Sequence, residues 1–280
     1  MAVYEGYGTQ VFHRETTTGM GAQLVLLGLL WTAVGLGPAG WLTGAVFAMS
    51  TWVVLTRALR RSWTRSFGPA NGVTLARAIL VGGVTALVAD SFVREPSVAV
   101  LVALATVALI LDGVDGQVAR RTGTATPLGA RFDMEVDAFL ILVLSVQVAT
   151  ALGPWVLLIG AMRYAFVAAA RVLPWLNGAL PPSTARKAVA ASQGIALVVA
   201  AADVLPQAAA FAVVLTALAL LVWSFGRDIA GLYRGREIPA TAAAAASGTT
   251  APEVAAPTVA APEVTAPEVT APEATVRQAA

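Results

Sequence analysis

The chain contains no cysteine in its 280 residues, which excludes disulfides and thiolate metal sites. Histidine is nearly absent too. His13 is the only one, no potential ligands cluster around it, and it reads as a tail residue. Charge is scarce: 12% of residues are charged, where soluble domains carry roughly 25%. Lysine is represented by Lys187 alone among 18 basic residues, and the net charge is only +2. A nucleic-acid partner is therefore not indicated, although the sequence pI is 9.4. The positively charged start of a signal peptide is also missing, because residues 1–19 are polar and carry Glu5 and Glu15. What remains is apolar: 58% hydrophobic residues and a mean hydropathy of +0.75. This composition predicts an all-α, polytopic membrane helix bundle.

Apolar runs of about 17–20 residues read as membrane spans. Eight are expected, at about 20–36, 41–58, 73–89, 97–114, 133–151, 154–172, 187–203 and 207–225. Pro38, Pro96, Pro154, Pro174 and Pro206 fall in or beside the connections, where a helix breaker belongs. The charges fit this count. With the N-terminus inside, one side of the membrane collects Arg14, Arg57, Arg60, Arg61, Arg65, Arg120, Arg121, Arg131, Arg186, Lys187, Arg227, Arg234 and Arg236. The other side holds Arg94 with Asp90, Glu95 and Asp203. By the positive-inside rule both termini face the cytoplasm. Residues 57–67 form either a short interfacial helix on anionic lipid or an ordinary basic loop. From about residue 240 the composition changes to an Ala run followed by APEVA-like five-residue repeats. With Pro in each copy and few apolar residues, this is expected to be a disordered, partly polyproline tail.

One stretch departs from this apolar background: DGVDGQVARRTGTATPLGARFDMEVD, residues 112–137. Asp112 and Asp115 form one pair, Asp133 and Asp137 another. Residues three or four apart share a helix face, so each pair aims its carboxylates one way, and the Gly/Thr/Pro-rich turn between lets two helices face each other. A carboxylate at the centre of a membrane helix costs about 2.5–3.5 kcal/mol on insertion scales. Four together need compensation, and a divalent cation with oxygen ligands supplies it. Without His or Cys, the set suits Mg2+ or Mn2+, and two such ions can stabilise displacement at phosphorus. Gly116 and Ala119 lie on the same face as the first pair, where small side chains let a diphosphate or nucleotide approach the backbone. Arg120 follows, able to grip phosphate in bidentate fashion.

The spacing D-x2-D-G-x2-A-R-x8-G-x3-D-x3-D is filled by Asp112, Asp115, Gly116, Ala119, Arg120, Gly129, Asp133 and Asp137. At each of these fixed positions it resembles the signature of the CDP-alcohol phosphatidyltransferase family. PANGVTLAR, residues 69–77, resembles the P-N-x2-T-x2-R segment that opens the family's first core helix, through Asn71, Thr74 and Arg77; Ala70 is an extra residue after Pro69. The resemblance implies a six-helix core at about 69–226, preceded by a segment 1–19 and two additional helices with a basic loop over 20–68, and followed by a tail, 227–280. It implies a membrane enzyme that attacks CDP-diacylglycerol with a small alcohol and releases CMP, usually as a homodimer. Asp112, Asp115 and Asp133 would be metal ligands, and Asp137 the general base, sharing a metal. Asn71, Thr74, Arg77, Gly116, Ala119 and Arg120 would line the nucleotide-diphosphate site.

The acceptor side is less defined. Arg163 lies near the middle of the sixth span and must face a polar cavity or a carboxylate. Arg171 ends that span. PPSTARKAV, residues 181–189, is similar to the family's P-S-x2-G-K segment, with Lys187 in the lysine position and Arg186 replacing the glycine. Arg163, Arg171, Arg186 and Lys187 are thus candidates to bind a phosphorylated acceptor such as glycerol 3-phosphate or inositol phosphate. Other readings are an intramembrane prenyltransferase, which would need a second aspartate-rich motif, and a non-catalytic scaffold or transporter, which would more often show internal repeats. Outside the motif only Asp90, Asp203 and Asp228 occur, singly.

Overall fold

A computed structural model of the chain describes the backbone of residues 2–61, 69–95, 97–122, 127–178 and 183–236, and the side chains of 17–57, 72–95, 97–114, 129–178 and 183–234. These residues belong to one compact unit, Met1–Glu237. The Pro-repeat tail, most of the 57–67 segment and Pro96 lie outside them. Eight helices follow one another: α1 Ala2–Val34, α2 Pro38–Arg61, α3 Pro69–Asp90, α4 Val98–Thr122, α5 Pro127–Leu152, α6 Leu157–Val172, α7 Thr184–Ala201 and α8 Gln207–Arg236. Single 3₁₀ turns, Pro154–Val156 and Pro174–Asn177, flank α6. No strand occurs among the described residues.

All eight expected spans fall on helices. Six are long and apolar enough to cross a membrane: Thr17–Val34, Pro38–Arg57, Gly72–Asp90, Gly129–Leu152, Pro154–Val172 and Gln207–Arg234. Among the described residues of α4 the apolar part is Val98–Val114. α7 is not among the six; Arg186, Lys187, Ser192 and Gln193 lower its hydropathy. α1 starts at Ala2, so the polar first residues are helical too, ahead of the apolar window Thr17–Val34.

Proline and glycine set the helix ends. Pro38, Pro69 and Pro127 occupy first helical positions, where a missing N–H costs nothing and the fixed φ suits the helix. Gly35 (φ 70°) ends α1 and Gly153 (φ 103°) ends α5. Their N–H groups donate to Trp31 O and Ala149 O, each at 3.0 Å, as left-handed C-terminal caps do.

α3 is the central helix, packing against α1, α2, α4 and α5. Val81, Val84 and Ala86 on it are fully buried. The close approach of α1 and α2 depends on small residues, which drive helix association in a bilayer through van der Waals contact. A Cβ at Gly40 would lie 2.8 Å from Ala86 O, and one at Gly82 would lie 2.6 Å from both polar atoms of the buried Gln23 amide. At one end of the bundle, the turn between α1 and α2 is clasped to the end of α3. Gly37 N donates to Asp90 Oδ2 at 3.1 Å, and Arg94 Nη1 donates to Gly35 O. Elsewhere, buried Gln193 joins α7 to α8 by donating to Val189 O (3.1 Å) and Ala217 O (3.0 Å).

Filling the α2–α3 contact tests this packing. Gly40→Val forces the added carbons against the Ala86 carbonyl. The expected loss is about 1–3 kcal/mol, read as a lowered unfolding midpoint of the purified protein in detergent. A surface control, Val25→Ala, leaves the midpoint near the wild-type value.

Candidate functional site

The site is built where α3, α4 and α5 converge. Arg77 on α3 has a side chain only 1% exposed. An unpaired guanidinium in an apolar helix is expensive, so its burial requires carboxylates. Two supply it from different helices. Nη1 donates to Oδ1 of Asp112 on α4. Nη2 donates to Oδ1 of Asp133 on α5, and also to the Asp133 backbone oxygen at 3.0 Å. The planar, two-pronged guanidinium suits this task, which the single point charge of lysine would not perform. Thr74, one helical turn before Arg77, is also buried. Asp137 lies one turn beyond Asp133, within the electrostatic reach of Asp112, Asp133, Arg77 and Arg163.

The sequence pattern thus brings Asp112, Asp133 and Asp137 into one electrostatic neighbourhood, with Arg77 at its centre. The side chains of Asp115, Gly116, Ala119, Arg120 and Asn71 lie outside the described residues. Their backbone positions are helical, Asp115 three residues after Asp112 on α4. No group of three His, Cys, Asp or Glu positioned to hold a metal ion occurs among the described residues. The donor chemistry nevertheless fits a hard divalent cation. The site offers carboxylate oxygens and neither thiolate nor imidazole, and the Asp112 and Asp133 side chains are 40% and 36% exposed, open to an ion arriving from outside.

The basic residues expected at the acceptor side do not form one cluster. Arg163 on α6 donates through Nη2 to Glu135 Oε1 at 2.6 Å, which is the carboxylate its place in a span demands. Arg171 lies two turns further along α6, about 12 Å away at 1.5 Å per residue, and is exposed. Arg186 pairs with Asp228 on α8 at 3.5 Å, and its backbone N–H is capped by Ser183 Oγ at 3.4 Å. Lys187 is exposed. Arg227, beside Asp228, stacks over the Trp223 ring at 4.9 Å.

Three participants were missed in the sequence. Glu135 sits between the two aspartates of α5 and was hidden by them. Its signal is a third carboxylate in one apolar helix, on a different face. Tyr164 shares the electrostatic neighbourhood of Glu135 and Arg163. Asp228 reads as a lone acid in the sequence, and only the packing of α7 on α8 pairs it with Arg186.

The family model of CDP-alcohol phosphatidyltransferases matches residues 67–223, more than half of the 280 residues. It begins just before α3 and ends within α8, leaving α1 and α2 outside. No curated protein and no solved structure matches.

The charge arrangement predicts how Arg77 variants behave. Arg77→Met leaves Asp112 and Asp133 facing each other across an apolar side chain. Breaking a fully buried pair costs about 3–5 kcal/mol; with both carboxylates partly exposed, the expected loss is smaller, about 1–3 kcal/mol. Arg77→Lys restores the charge without the two-pronged contact and falls between. Thermal unfolding of the three proteins in detergent checks this order.

Proposed function

The chain belongs to the CDP-alcohol phosphatidyltransferase family, and we propose that it transfers a phosphatidyl group from CDP-diacylglycerol to a small alcohol, releasing CMP. Family members are transferases of substituted phosphate groups acting in phospholipid synthesis, and they generally use divalent metal ions. The observation that carries the reading is the meeting of Asp112 and Asp133, from two different helices, on the buried Arg77, inside the segment the family model matches.

In this reading Asp112, Asp115, Asp133 and Asp137 hold Mg2+ or Mn2+, as two ions. Bound there, the metal supplies charge neutralisation at the diphosphate and polarises its oxygens. The chain supplies position. Arg77, expected among the nucleotide-binding residues, is committed to Asp112 and Asp133, so its part is to hold the two carboxylates in register. Asn71, Thr74, Gly116, Ala119 and Arg120 line the nucleotide side. Asp137 takes the proton of the acceptor hydroxyl. The hydroxyl oxygen bonds to the lipid-side phosphorus, the bond from that phosphorus to the bridging oxygen breaks, and CMP leaves with the electron pair. A Gly116–Ala119 surface without bulky side chains lets the nucleotide approach the helix.

The acceptor is a small alcohol, with glycerol 3-phosphate or inositol phosphate favoured by the basic residues. Arg163 is the best-placed cation, since Asp137 lies within its field; Lys187 is the next, exposed at the start of α7. Arg171 and Arg186 are weaker members, one about 12 Å along α6 from Arg163 and the other held by Asp228. The positive-inside charge pattern supports a cytoplasmic active site and cytoplasmic termini, and family resemblance supports a homodimer as the working unit. A prenyltransferase reading lacks its second aspartate motif.

The test is CMP release by the purified protein in detergent with CDP-diacylglycerol and Mg2+, across glycerol 3-phosphate, inositol phosphate, inositol, serine and no acceptor. Release with one acceptor, abolished by chelator, is expected. Asp137→Asn should fold normally and lose about 10²–10⁴-fold in rate, the usual contribution of a general base. Wild-type turnover in that variant would remove Asp137 from the mechanism.

A further inference from the structure

α5 has two functional faces. At about 100° per residue, Asp133 and Asp137 stand together on one side, while Arg131, Phe132, Glu135, Val136 and Phe139 occupy the other. That second group lines a cleft of about 840 Å³ between α5, α2 and α6. The volume lies in the range of ligand-binding pockets. The opposite wall is one stripe of α2: Thr43, Val46, Phe47, Ser50 and Val54, recurring with helical period over about 16 Å. Phe47 and Phe139 meet across it with ring centroids 5.3 Å apart.

The cleft is polar at one end and apolar along the rest. Arg131, Glu135 and Tyr164 stand at the polar end, with Arg163 joined to Glu135. Arg131 and Arg163 stand against Glu135 on this side of α5, and Asp137 lies within reach of Arg163 from the other side. Arg163 Nε, behind that pair, is buried without a hydrogen-bond partner. Val46 and Val54, by contrast, stay 55% and 58% exposed on a helix apolar enough to cross a membrane. Two guanidinium groups beside an apolar trough at membrane depth complement one class of molecule, an amphiphile with an anionic head and a hydrocarbon chain.

We propose that this cleft binds one anionic phospholipid of the surrounding bilayer, its phosphate at Arg131 and Arg163 and an acyl chain along the α2 stripe. The site lies on the opposite face of α5 from Asp133 and Asp137, and Arg163 is the one cation that the two sites share. It gives α2, which lies outside the family match, a function: it is the wall that makes the trough. The assignment does not depend on the transferase reading.

The test measures lipid retention and needs no turnover. The full-length protein is released from bilayers of mixed phosphatidylglycerol and phosphatidylcholine, and bound lipid is counted by native mass spectrometry. One phosphatidylglycerol per chain is expected, favoured over phosphatidylcholine. Arg131→Gln should lower that preference about fivefold, the worth of one basic residue at an anionic headgroup. Ser50→Trp should fill the trough and abolish retention. Because the chain lacks cysteine, Ser50→Cys provides a milder second readout. Phosphatidylglycerol should protect that single thiol from an apolar maleimide, whereas an outward-facing Val25→Cys stays reactive. Equal labelling of Cys at position 50 with and without phosphatidylglycerol would overturn the proposal. So would one-for-one displacement of phosphatidylglycerol by CDP-diacylglycerol, which would make the trough the donor site. A membrane-formed disulfide dimer through position 50 would overturn it too, by making a second copy of this chain the occupant.

Discussion

A guanidinium buried in an apolar helix has to be neutralised, and the bundle is arranged around meeting that demand. Arg77 is 1% exposed on the most enclosed helix, and the nearest relief comes from Asp112 and Asp133. Those acids have the complementary problem, since carboxylates in apolar helices carry their own insertion cost. Each charge makes the others tolerable. The geometry follows: α4 and α5 must present their acidic ends to α3 at the same level, which fixes the register of three helices. Removing any one charge leaves the other two facing a low-dielectric surround. A polar cluster of this kind specifies one arrangement of otherwise interchangeable apolar helices, because a slip of either helix separates donor from acceptor.

α1 and α2 enter the same structure by a different route. They contribute no charge to the aspartate site and dock on α3 by shape, through glycines at positions 40, 44 and 82 that meet Ala86, Leu27 and Gln23. The clasp formed by Asp90 and Arg94 on the α1–α2 turn then fixes the far end of α3. One end of this helix is held by charge, the other by backbone hydrogen bonds, and its middle by close packing. That division explains how a helix with a buried arginine remains in place among partners that are almost entirely apolar.

Much of this was legible in the sequence, for physical reasons that also mark where legibility stopped. Membrane spans are long and apolar, so each of the eight expected spans falls on a helix. The aspartate spacing is local, so the facing of Asp112 and Asp133 followed from helix periodicity and a short turn. Arg77 was recognisable as a site residue, but its commitment to both carboxylates was not, because that depends on how α3 crosses α4 and α5. Glu135 went unremarked and Asp228 read as a lone acid for the same reason: an acid's importance lies in the arginine it meets, 28 residues away for Glu135. The first apolar span, expected at about 20–36, falls on Thr17–Val34, while the helix itself starts at Ala2, because hydropathy marks where a helix becomes apolar and not where it begins.

The two faces of α5 connect these observations. Its sequence alternates acids and apolar residues within a few positions, FDMEVDAF, which hydropathy averaging reads as one moderately polar helix start. On the helix the same residues separate. Asp133 and Asp137 turn toward α3 and α4, while Phe132, Glu135 and Phe139 turn toward α2 and α6. Arg77 and Arg163 sort the acids between them, one cation on each side. A single helix can therefore carry the charge needed for phosphate chemistry on one face and a lipid-shaped trough on the other. The cost of burying acids in a membrane helix is met on each face chiefly by a different arginine, and Arg163 also acts on Asp137 across the helix.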